Sequence, residues 1–286
     1  MSVIKTILVT GANGQLGQCF QALANTFPQY HFLFTDRNTL PVTNPEAIDL
    51  FFAAHNIDVC INCAAYTAVD KAETEKESAI GANATAVGYL AKACKNIAAK
   101  FIHISTDYVF DGKANEPYQT NHLTNPVNFY GQTKLDGEIL ALKENADSII
   151  IRTAWVYCNY GNNFVKTMLR LMKERESIGV VNDQRGAPTF APDLAAAIML
   201  IIQKNNFVAG IYHYSNKGNI SWYDFATEIA IQTNTNCIVN PILTTQFPTP
   251  AARPAFSVLN TSLLEKTFEV VIPDWKESLI ICLRNS

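Results

Sequence analysis

Short apolar runs alternate with longer amphipathic stretches through the first half of the chain. The apolar runs predict strands at residues 5–9, 31–35, 58–63, 101–105 and 148–153, with Val3 as an earlier start for the first. Helical spacing of apolar positions predicts helices between them, over residues 15–24, 45–54, 78–99 and 130–142. Buried strands alternating with helices are typical of a parallel sheet covered on both faces. The pattern therefore predicts an α/β fold with a doubly wound parallel sheet of the Rossmann type.

The second half of the chain is less regular. It predicts helices over 162–174, 221–233 with Ser221 as N-cap, and 274–283, a strand at 211–214, and loops at 182–192 and 244–254 that are rich in Pro, Thr and Asn. We therefore divide the chain into a dinucleotide-binding domain, residues 1–154, and a smaller α/β domain, residues 155–286, that mainly binds substrate. A segment at about 192–214 is expected to return to the sheet.

Composition excludes several classes of protein. The chain has 286 residues, of which 48% are hydrophobic and 16% charged, as expected for a globular protein with a sizeable core. A net charge of −3 provides no basic field for nucleic acid, and the longest apolar run, residues 194–202, is too short to span a bilayer. No signal-peptide pattern is visible. Seven cysteines without disulfide-framework spacing favour a reduced, cytoplasmic setting, and Cys60 and Cys63 are interpreted as structural residues of a buried strand rather than zinc ligands.

A glycine-rich turn follows the first predicted strand and opens the first predicted helix. Its glycines are Gly11, Gly14 and Gly17. Glycines in this position permit a tight turn and let backbone N–H groups approach a diphosphate, which the helix N-terminus attracts. Because the motif lies at a strand–turn–helix junction with an acidic residue about twenty positions later, it predicts a dinucleotide site.

Two charged residues at the end of the second predicted strand concern the choice of cofactor. Asp36 is placed to accept a hydrogen bond from the adenine-ribose 2′-hydroxyl, and Arg37 could instead pair with a 2′-phosphate. We therefore expect NADH to be favoured and NADPH to be tolerated.

Small residues follow the third predicted strand. Ala65, Tyr66 and Thr67 lie where the carboxyl edge of a parallel sheet lets a dinucleotide approach the backbone. Asn83, inside the next predicted helix, is interpreted as a solvated polar residue, with the alternative that it organises water near a catalytic lysine.

Tyr130 and Lys134 lie four residues apart at the start of a predicted helix, so that their side chains share one face. A phenol with an ordinary pKa of about 10 exchanges protons poorly at neutral pH, and we expect the adjacent ammonium to lower that pKa. Such a phenol can pass a proton to or from a substrate oxygen. Thr106, or Ser105 as second choice, can hydrogen-bond a carbonyl oxygen from the end of the fourth predicted strand. The alternative is an ordinary helix start with a surface lysine.

The glycine turn, Thr106 and the pair of Tyr130 and Lys134 resemble the extended short-chain dehydrogenase/reductase pattern. Longer stretches resemble the dTDP-4-dehydrorhamnose reductase family more specifically. They are residues 64–73 (AAYTAVDKAE), 105–110 (STDYVF), 155–157 (WVY), 161–168 (GNNFVKTM), 182–189 (NDQRGAPT) and 250–254 (PAARP). The resemblance covers nearly the whole chain.

The resemblance implies a reaction and the residues that perform it. Members of this family reduce the 4-keto group of dTDP-4-dehydro-L-rhamnose with NADH or NADPH, forming dTDP-L-rhamnose for cell-surface polysaccharides. It implies Tyr130 as proton donor and Lys134 as the residue that lowers its pKa and holds the nicotinamide ribose. Thr106 would polarise the carbonyl or tune the phenol. The cofactor would be lined by Gly14, Gln15, Leu16, Asp36, Ala65, Tyr66 and Thr67.

Three further residues are candidates for substrate contacts. The resemblance places Asp107 and Trp155 against the sugar nucleotide, although a turn residue and a core aromatic are the alternatives. Arg253, between prolines in a loop, could meet the diphosphate, or be a surface charge.

Other functions are weighed against this one. Related dehydratases carry an Asp-Glu pair after the equivalent threonine, whereas Asp107 is followed by Tyr108, so ketone reduction is favoured over elimination. An epimerase is the nearest enzymatic alternative, and a catalytically silent regulatory subunit the alternative from another class. Some family members are described as using magnesium, but no acidic cluster with ligand spacing requires it here. We expect a small-molecule substrate and no nucleic acid or membrane partner, and a homodimer stays open.

Overall fold

Six parallel strands form the central sheet of the protein, in the order β10-β5-β4-β3-β1-β2. The structure is a computed structural model that describes residues 5–205 and 207–284, so Val3 lies outside the described residues. The strands are β1 (Lys5–Thr10), β2 (Tyr30–Thr35), β3 (Val59–Asn62), β4 (Lys100–Thr106), β5 (Ile149–Thr153), β6 (Val156–Tyr157), β7 (Ser177–Val181), β8 (Arg185–Gly186), β9 (Thr189–Phe190), β10 (Gly210–Tyr214), β11 (Ile220–Ser221) and β12 (Ile238–Ile242). This order confirms the doubly wound fold.

Helices cover both faces of this sheet. They are α1 (Gln15–Ala24), α2 (Pro45–Ala54), α3 (Val69–Ala72), α4 (Lys76–Ile80), α5 (Ala86–Asn96), α6 (Phe129–Glu144), α7 (Phe164–Glu174), α8 (Ala191–Lys204), α9 (Trp222–Gln232), α10 (Ser262–Phe268) and α11 (Trp275–Arg284). Helices α1 and α8 pack together on one face, and α2, α5 and α6 pack on the other. Successive residues of β1 therefore enter different cores: Ile7 and Val9 enter one, and Leu8 enters the other.

The helix predicted over residues 78–99 is interrupted. It begins as α4, passes through a π-helical turn, Gly81–Thr85, and continues as α5. Asn83, in this turn, is completely buried. Its side chain accepts from the Tyr66 backbone N–H (2.8 Å) and donates to the Tyr66 carbonyl (3.0 Å) and the Thr133 hydroxyl (3.1 Å). The interpretation of Asn83 as a solvated residue is wrong, because its amide ties the loop after β3 to α6.

The second half of the chain sends one segment back to the central sheet. Helix α8 packs against α1, and β10 pairs with β5 in parallel. The loop expected over residues 182–192 instead contains β8, β9 and the start of α8, whose Pro192 lies in the first helical turn. Strands β7 and β12 form a separate parallel pair that local sequence patterns do not predict. The predicted N-cap of α9 is confirmed, since the Ser221 hydroxyl accepts from the Asp224 N–H at 3.0 Å.

The cysteines are free thiols, and six of the seven are buried. Within residues 5–205 and 207–284, no group of three or more His, Cys, Asp or Glu side chains is arranged to hold a metal ion. Cys60 is fully buried in β3, as its interpretation as a structural residue requires, whereas Cys63 follows the last residue of β3 and is only partly buried. None of the helices in the described ranges combines the length and apolarity needed to cross a membrane.

Candidate active site

A groove of about 1520 Å³ follows the carboxyl ends of strands β1 to β5. In doubly wound sheets this edge is where dinucleotides bind. The groove is lined by all but one of the residues predicted to act in catalysis or to bind cofactor or substrate: Gly11, Gly14, Gln15, Leu16, Gly17, Asp36, Arg37, Ala65, Tyr66, Thr67, Thr106, Asp107, Tyr130, Lys134 and Trp155. Chain segments that are far apart in sequence therefore meet at one surface.

Close backbone contacts require glycine at two positions of this turn. Gly11 has φ of +66°, and a Cβ atom there would lie 2.6 Å from the Ala64 backbone nitrogen. A Cβ at Gly17 would lie 2.5 Å from the Gly11 carbonyl oxygen. Helix α1 begins without a side-chain cap, so its positive end is left for an anion such as a diphosphate.

Asp36 is held as a carboxylate by its neighbours. It accepts from the Thr39 N–H (3.0 Å), the Asn38 N–H (2.9 Å) and the Asn13 amide (2.9 Å). Hydrogen bonds from Thr39, then from Asn38, lower its pKa below the ordinary value. A fixed carboxylate suits a ribose hydroxyl, whereas the exposed Arg37 beside it suits a 2′-phosphate.

The cap of α6 places Tyr130 and Lys134. Asn128 accepts from the Gly131 N–H at 2.8 Å, which starts the helix at Phe129. Tyr130 then lies in the first turn and Lys134 one turn later. The Lys134 ammonium donates to the Ile104 carbonyl at 2.6 Å and lies 3.4 Å from Nε2 of His103. The lysine therefore reaches the end of β4, next to Thr106.

Burial dominates the acid–base properties of this pair. It raises the pKa of Tyr130 to about 12, although the hydrogen bond with the Thr106 hydroxyl lowers it and the charge of Asp107 raises it further. Burial also lowers the pKa of Lys134 to about 8, against the charge of Glu138, which raises it. The expectation that the ammonium lowers the phenol pKa below its ordinary value is wrong here: desolvation of the phenolate raises that pKa, and Lys134 is not among the groups that shift it. Tyr130 consequently keeps its proton at neutral pH, as a proton donor must.

Asp107 is a second buried acid beside the phenol. Its Oδ1 accepts from the Thr106 hydroxyl at 2.9 Å. Burial raises the pKa of Asp107 to about 6, while hydrogen bonds from the Ser257 and Thr106 hydroxyls lower it. The carboxyl group therefore lies in the groove with a pKa near neutral pH, set by burial and by these two hydrogen bonds.

An aromatic wall closes one side of the groove. Trp155 has φ of 48° and stacks on Trp222, with ring centroids 3.5 Å apart and planes 11° from parallel. Both rings line the groove. Sequence reasoning missed Trp222, because its place follows from stacking on Trp155, which lies in a distant part of the sequence, and no local motif marks it. The one signal in the sequence was the Ser221 N-cap, which makes Trp222 the first residue of α9.

Arg253 is the exception among the predicted catalytic and binding residues. It does not line the groove, and its guanidinium pairs with the Asp70 carboxylate at 2.9 Å and donates to the Ala251 carbonyl at 2.9 Å. A contact between Arg253 and a diphosphate stays a prediction.

The fold and the groove define a class of protein, the extended short-chain dehydrogenases/reductases, which use a nicotinamide dinucleotide. A family model described as the RmlD substrate binding domain matches residues 5–286. The chain belongs to this family, the dTDP-4-dehydrorhamnose reductases.

Relatives and solved structures agree with that membership. A dTDP-4-dehydrorhamnose reductase of Aggregatibacter actinomycetemcomitans is 40% identical over 283 residues, which cover 96% of each chain. The crystal structure of an orthologous reductase from Clostridium acetobutylicum is 43% identical with a TM-score of 0.94, covering 98% of this chain and 99% of that one. A Bacillus anthracis dTDP-4-dehydrorhamnose reductase in complex with NADP is 38% identical, also with a TM-score of 0.94, and 99% of each chain is covered.

Proposed function

We propose that the protein reduces the 4-keto group of dTDP-4-dehydro-L-rhamnose, using a reduced nicotinamide dinucleotide, and forms dTDP-L-rhamnose. The observation that carries this proposal is that Thr106, Tyr130 and Lys134 line the same groove as the glycine turn. Family membership supplies the identity of the sugar nucleotide.

The residues of the groove divide the work between binding and proton transfer. The N-terminus of α1 and the turn at Gly11 and Gly14 would hold the diphosphate of the dinucleotide. When bound, the dinucleotide supplies a hydride to C4 of the sugar. Tyr130 gives its phenolic proton to the oxygen that becomes an alcohol, and Thr106 orients that oxygen by hydrogen bonding. The positive charge of Lys134 favours the negative charge that develops nearby.

Substrate contacts are proposed for three further residues that line the groove. Asp107 and the Trp155–Trp222 stack would face the sugar nucleotide. We keep the division between a dinucleotide-binding part, residues 1–154, and a mainly substrate-binding part, residues 155–286, as a proposal. A cytoplasmic location stays a prediction, and a homodimer and the use of magnesium stay open.

We propose that Asp36 and Arg37 determine the preference between NADH and NADPH. The carboxylate favours NADH through the ribose hydroxyl, and Arg37 lets NADPH bind as well. We expect Arg37→Ala to raise KM for NADPH on the order of tenfold, the effect of losing one charge-assisted contact, and to leave KM for NADH unchanged. Steady-state kinetics with both cofactors measure this, and an equal rise in both KM values would contradict the role of Arg37.

The proposed activity is tested by product identification. The protein is mixed with dTDP-4-dehydro-L-rhamnose and NADPH or NADH, nicotinamide absorbance is followed, and the nucleotide sugar formed is identified. Stoichiometric cofactor oxidation with formation of dTDP-L-rhamnose is expected. Interconversion of sugars without net cofactor oxidation would instead indicate an epimerase, and absence of any reaction would favour the silent regulatory subunit.

A further inference from the structure

A chain of buried polar side chains runs from the catalytic lysine to the cofactor turn. Lys134 Nζ lies 3.4 Å from His103 Nε2, and His103 Nδ1 lies 3.1 Å from Asn62 Nδ2. Asn62 Oδ1 in turn accepts from the Thr10 hydroxyl at 2.7 Å. These four residues are buried, and His103 is completely so. A histidine enclosed beside a lysine is uncommon enough to need an explanation.

The orientation of Asn62 fixes the tautomer of His103. Asn62 Oδ1 also accepts from the Ala64 backbone N–H at 3.2 Å, and a backbone N–H can only donate. The amide group of Asn62 therefore presents its N–H to His103, so that Nδ1 of His103 is an acceptor. Burial, followed by the charge of Lys134, lowers the pKa of His103 well below its ordinary value, so the ring is neutral. A neutral ring with an unprotonated Nδ1 carries its proton on Nε2.

The Nε2–H group therefore points at the side-chain nitrogen of Lys134. An ammonium has only donors and cannot accept this hydrogen, whereas an amine has a lone pair that can. The other groups facing Lys134 act differently: the Ile104 carbonyl and Glu138 favour the ammonium, and Cys63 is held as a neutral thiol because burial raises its pKa. Tyr130 lies one helical turn before Lys134, on the same side of α6. His103 is thus the one group among these that stabilises the amine by hydrogen bonding.

We propose that His103 is a positioning residue that stabilises the amine form of Lys134 through its Nε2–H, so that Lys134 can return a proton to Tyr130 after each reduction. This proposal rests on the proposed reductase activity. In each cycle the Tyr130 O–H bond breaks and its proton goes to the new alcohol. A Lys134 N–H bond then breaks and its proton goes to the phenolate, leaving an amine that accepts from His103. Solvent re-protonates that amine, so that one proton from water and one hydride are consumed.

The tautomer can be tested without any turnover. Nitrogen-15 NMR of histidine-labelled protein distinguishes the two neutral tautomers from the charged ring, and the His103 signals are assigned by their loss in His103→Gln. We expect the Nε2–H tautomer from about pH 6 to about pH 9, a range in which an ordinary histidine titrates. An Nδ1–H tautomer or a charged ring would overturn the proposal, whether or not the protein is a reductase.

The consequence for Lys134 is tested by the pH profile of steady-state turnover (kcat) in two variants, because repeated turnover requires that Tyr130 be re-protonated. His103→Phe keeps an aromatic ring without an N–H, and His103→Gln keeps an N–H near the position of Nε2. Activity should fall as pH rises through the pKa of Lys134, and in His103→Phe this alkaline limb should move up by about one pH unit, because the group opposing the ammonium is lost.

His103→Gln is the matched control and should keep the alkaline limb of the wild type. An unshifted limb in His103→Phe, or an equal shift in both variants, would overturn the role of His103. If the wild-type protein does not oxidise NADPH or NADH with the keto-sugar nucleotide, the proposed function fails, and the NMR experiment still decides the tautomer.

Discussion

At the scale of single residues, desolvation decides which groups of the site carry charge. Tyr130 keeps its proton and Lys134 binds its own proton less tightly, because Lys134 is buried and Tyr130 is partly buried in the wall of the groove. Asp107 follows the same rule, with a pKa of about 6. A site of this kind begins its reaction with the phenol protonated and with a lysine that exchanges protons near neutral pH.

Tyr130→Phe removes the proton donor and little else. The ring keeps its edge-to-face contact with Tyr108, at 5.8 Å between centroids, so the groove should keep its shape. We expect turnover to fall by about 10²- to 10⁴-fold, the usual worth of a general acid, while the Kd for NADPH stays that of the wild type. Stopped-flow kinetics and cofactor fluorescence titration measure the two quantities, and near-normal turnover would exclude Tyr130 as the donor.

The residues of the site could be predicted from the sequence where the signal is local. The glycine turn, Asp36 and the four-residue spacing of Tyr130 and Lys134 are such signals, and all of them line the groove. The pKa of Tyr130 could not be predicted, because burial is a property of the assembled fold. Trp222 was missed for the same reason, since its stacking partner belongs to a distant segment.

At the scale of secondary-structure elements, α6 is positioned by a backbone contact with the π-helical turn. A Cβ atom at Gly137 would lie 2.1 Å from the Asn83 carbonyl oxygen, so only glycine lets the two elements approach this closely. The same turn directs the Asn83 side chain to the Tyr66 loop. Since π-helical turns inside helices often occur at functional sites, we interpret this one as the element that aligns α6 with the groove.

Gly137→Ala should therefore push α6 away from the π-helical turn. We expect it to lower the free energy of unfolding by about 1–3 kcal/mol, the usual cost of overpacking, and to reduce turnover because Tyr130 and Lys134 move with the helix. Chemical denaturation and kinetics measure both effects.

Gly88→Ala is the control for Gly137→Ala. It also replaces a helical glycine, but its Cβ would meet only the Leu140 side chain, at 3.4 Å. Higher helix propensity should make it neutral or stabilising, by up to about 1 kcal/mol. Equal effects of the two substitutions would show that the contact with Asn83 does not position α6.

A buried ion pair joins α6 to the sheet. Glu138 accepts from Arg152 of β5 at 2.9 and 2.7 Å and from the Ser105 hydroxyl of β4 at 2.5 Å. Both charged side chains are at most 3% exposed. Glu138→Gln should lower the free energy of unfolding by about 3–5 kcal/mol, because it leaves the Arg152 charge buried without its partner.

Asp147→Asn is the matched control for the buried pair. It breaks the ion pair between Lys95 and Asp147, whose side chains are 53% and 66% exposed, and should have no measurable effect on stability. Urea denaturation of the two variants makes the comparison. A Glu138→Gln protein as stable as Asp147→Asn would mean that solvent reaches Arg152.

Elements were predictable from the sequence to different degrees. The alternation of apolar runs and amphipathic stretches gave the first five strands, because each signal lies within a few residues. The pairing of β7 with β12 was not predictable, because α8 and α9 separate the two short strands in the sequence; in the fold, α9 packs against both. The interruption of the helix at Asn83 depends on contacts with Tyr66 and Thr133 that periodicity does not reveal.

At the scale of the whole molecule, helices cover both faces of the sheet. This cover excludes water from the Lys134 side chain and so lowers its pKa. Its side chain lies between β4 and α6 and is only 2% exposed. A charged group in this position is retained at a cost to stability, since a well-packed apolar residue of similar size would avoid the desolvation. Activity and stability therefore make opposite demands on this position.

The cost of burying Lys134 should appear in the pH dependence of stability. The folded protein holds this lysine with a pKa of about 8, against 10.5 as an ordinary value. Between these two pH values the unfolded chain binds more protons than the folded one, so this residue's contribution to the free energy of unfolding rises with pH across that window. Below about pH 8 the penalty is complete, and the difference in pKa corresponds to about 3 kcal/mol.

Lys134→Met should therefore be more stable than the wild type at about pH 7, and this advantage should shrink towards zero near pH 10 as the wild-type lysine becomes neutral. Other groups that titrate at high pH, including buried tyrosines and cysteines, are common to both proteins and cancel in the difference. Lys92→Met removes an exposed lysine from α5 and should follow the wild type at both pH values. Urea denaturation of the three proteins at the two pH values measures these differences. If the stability advantage of Lys134→Met stayed constant with pH, Lys134 would have the same pKa in the folded and unfolded states. Its protonation would then make no contribution to the free energy of unfolding.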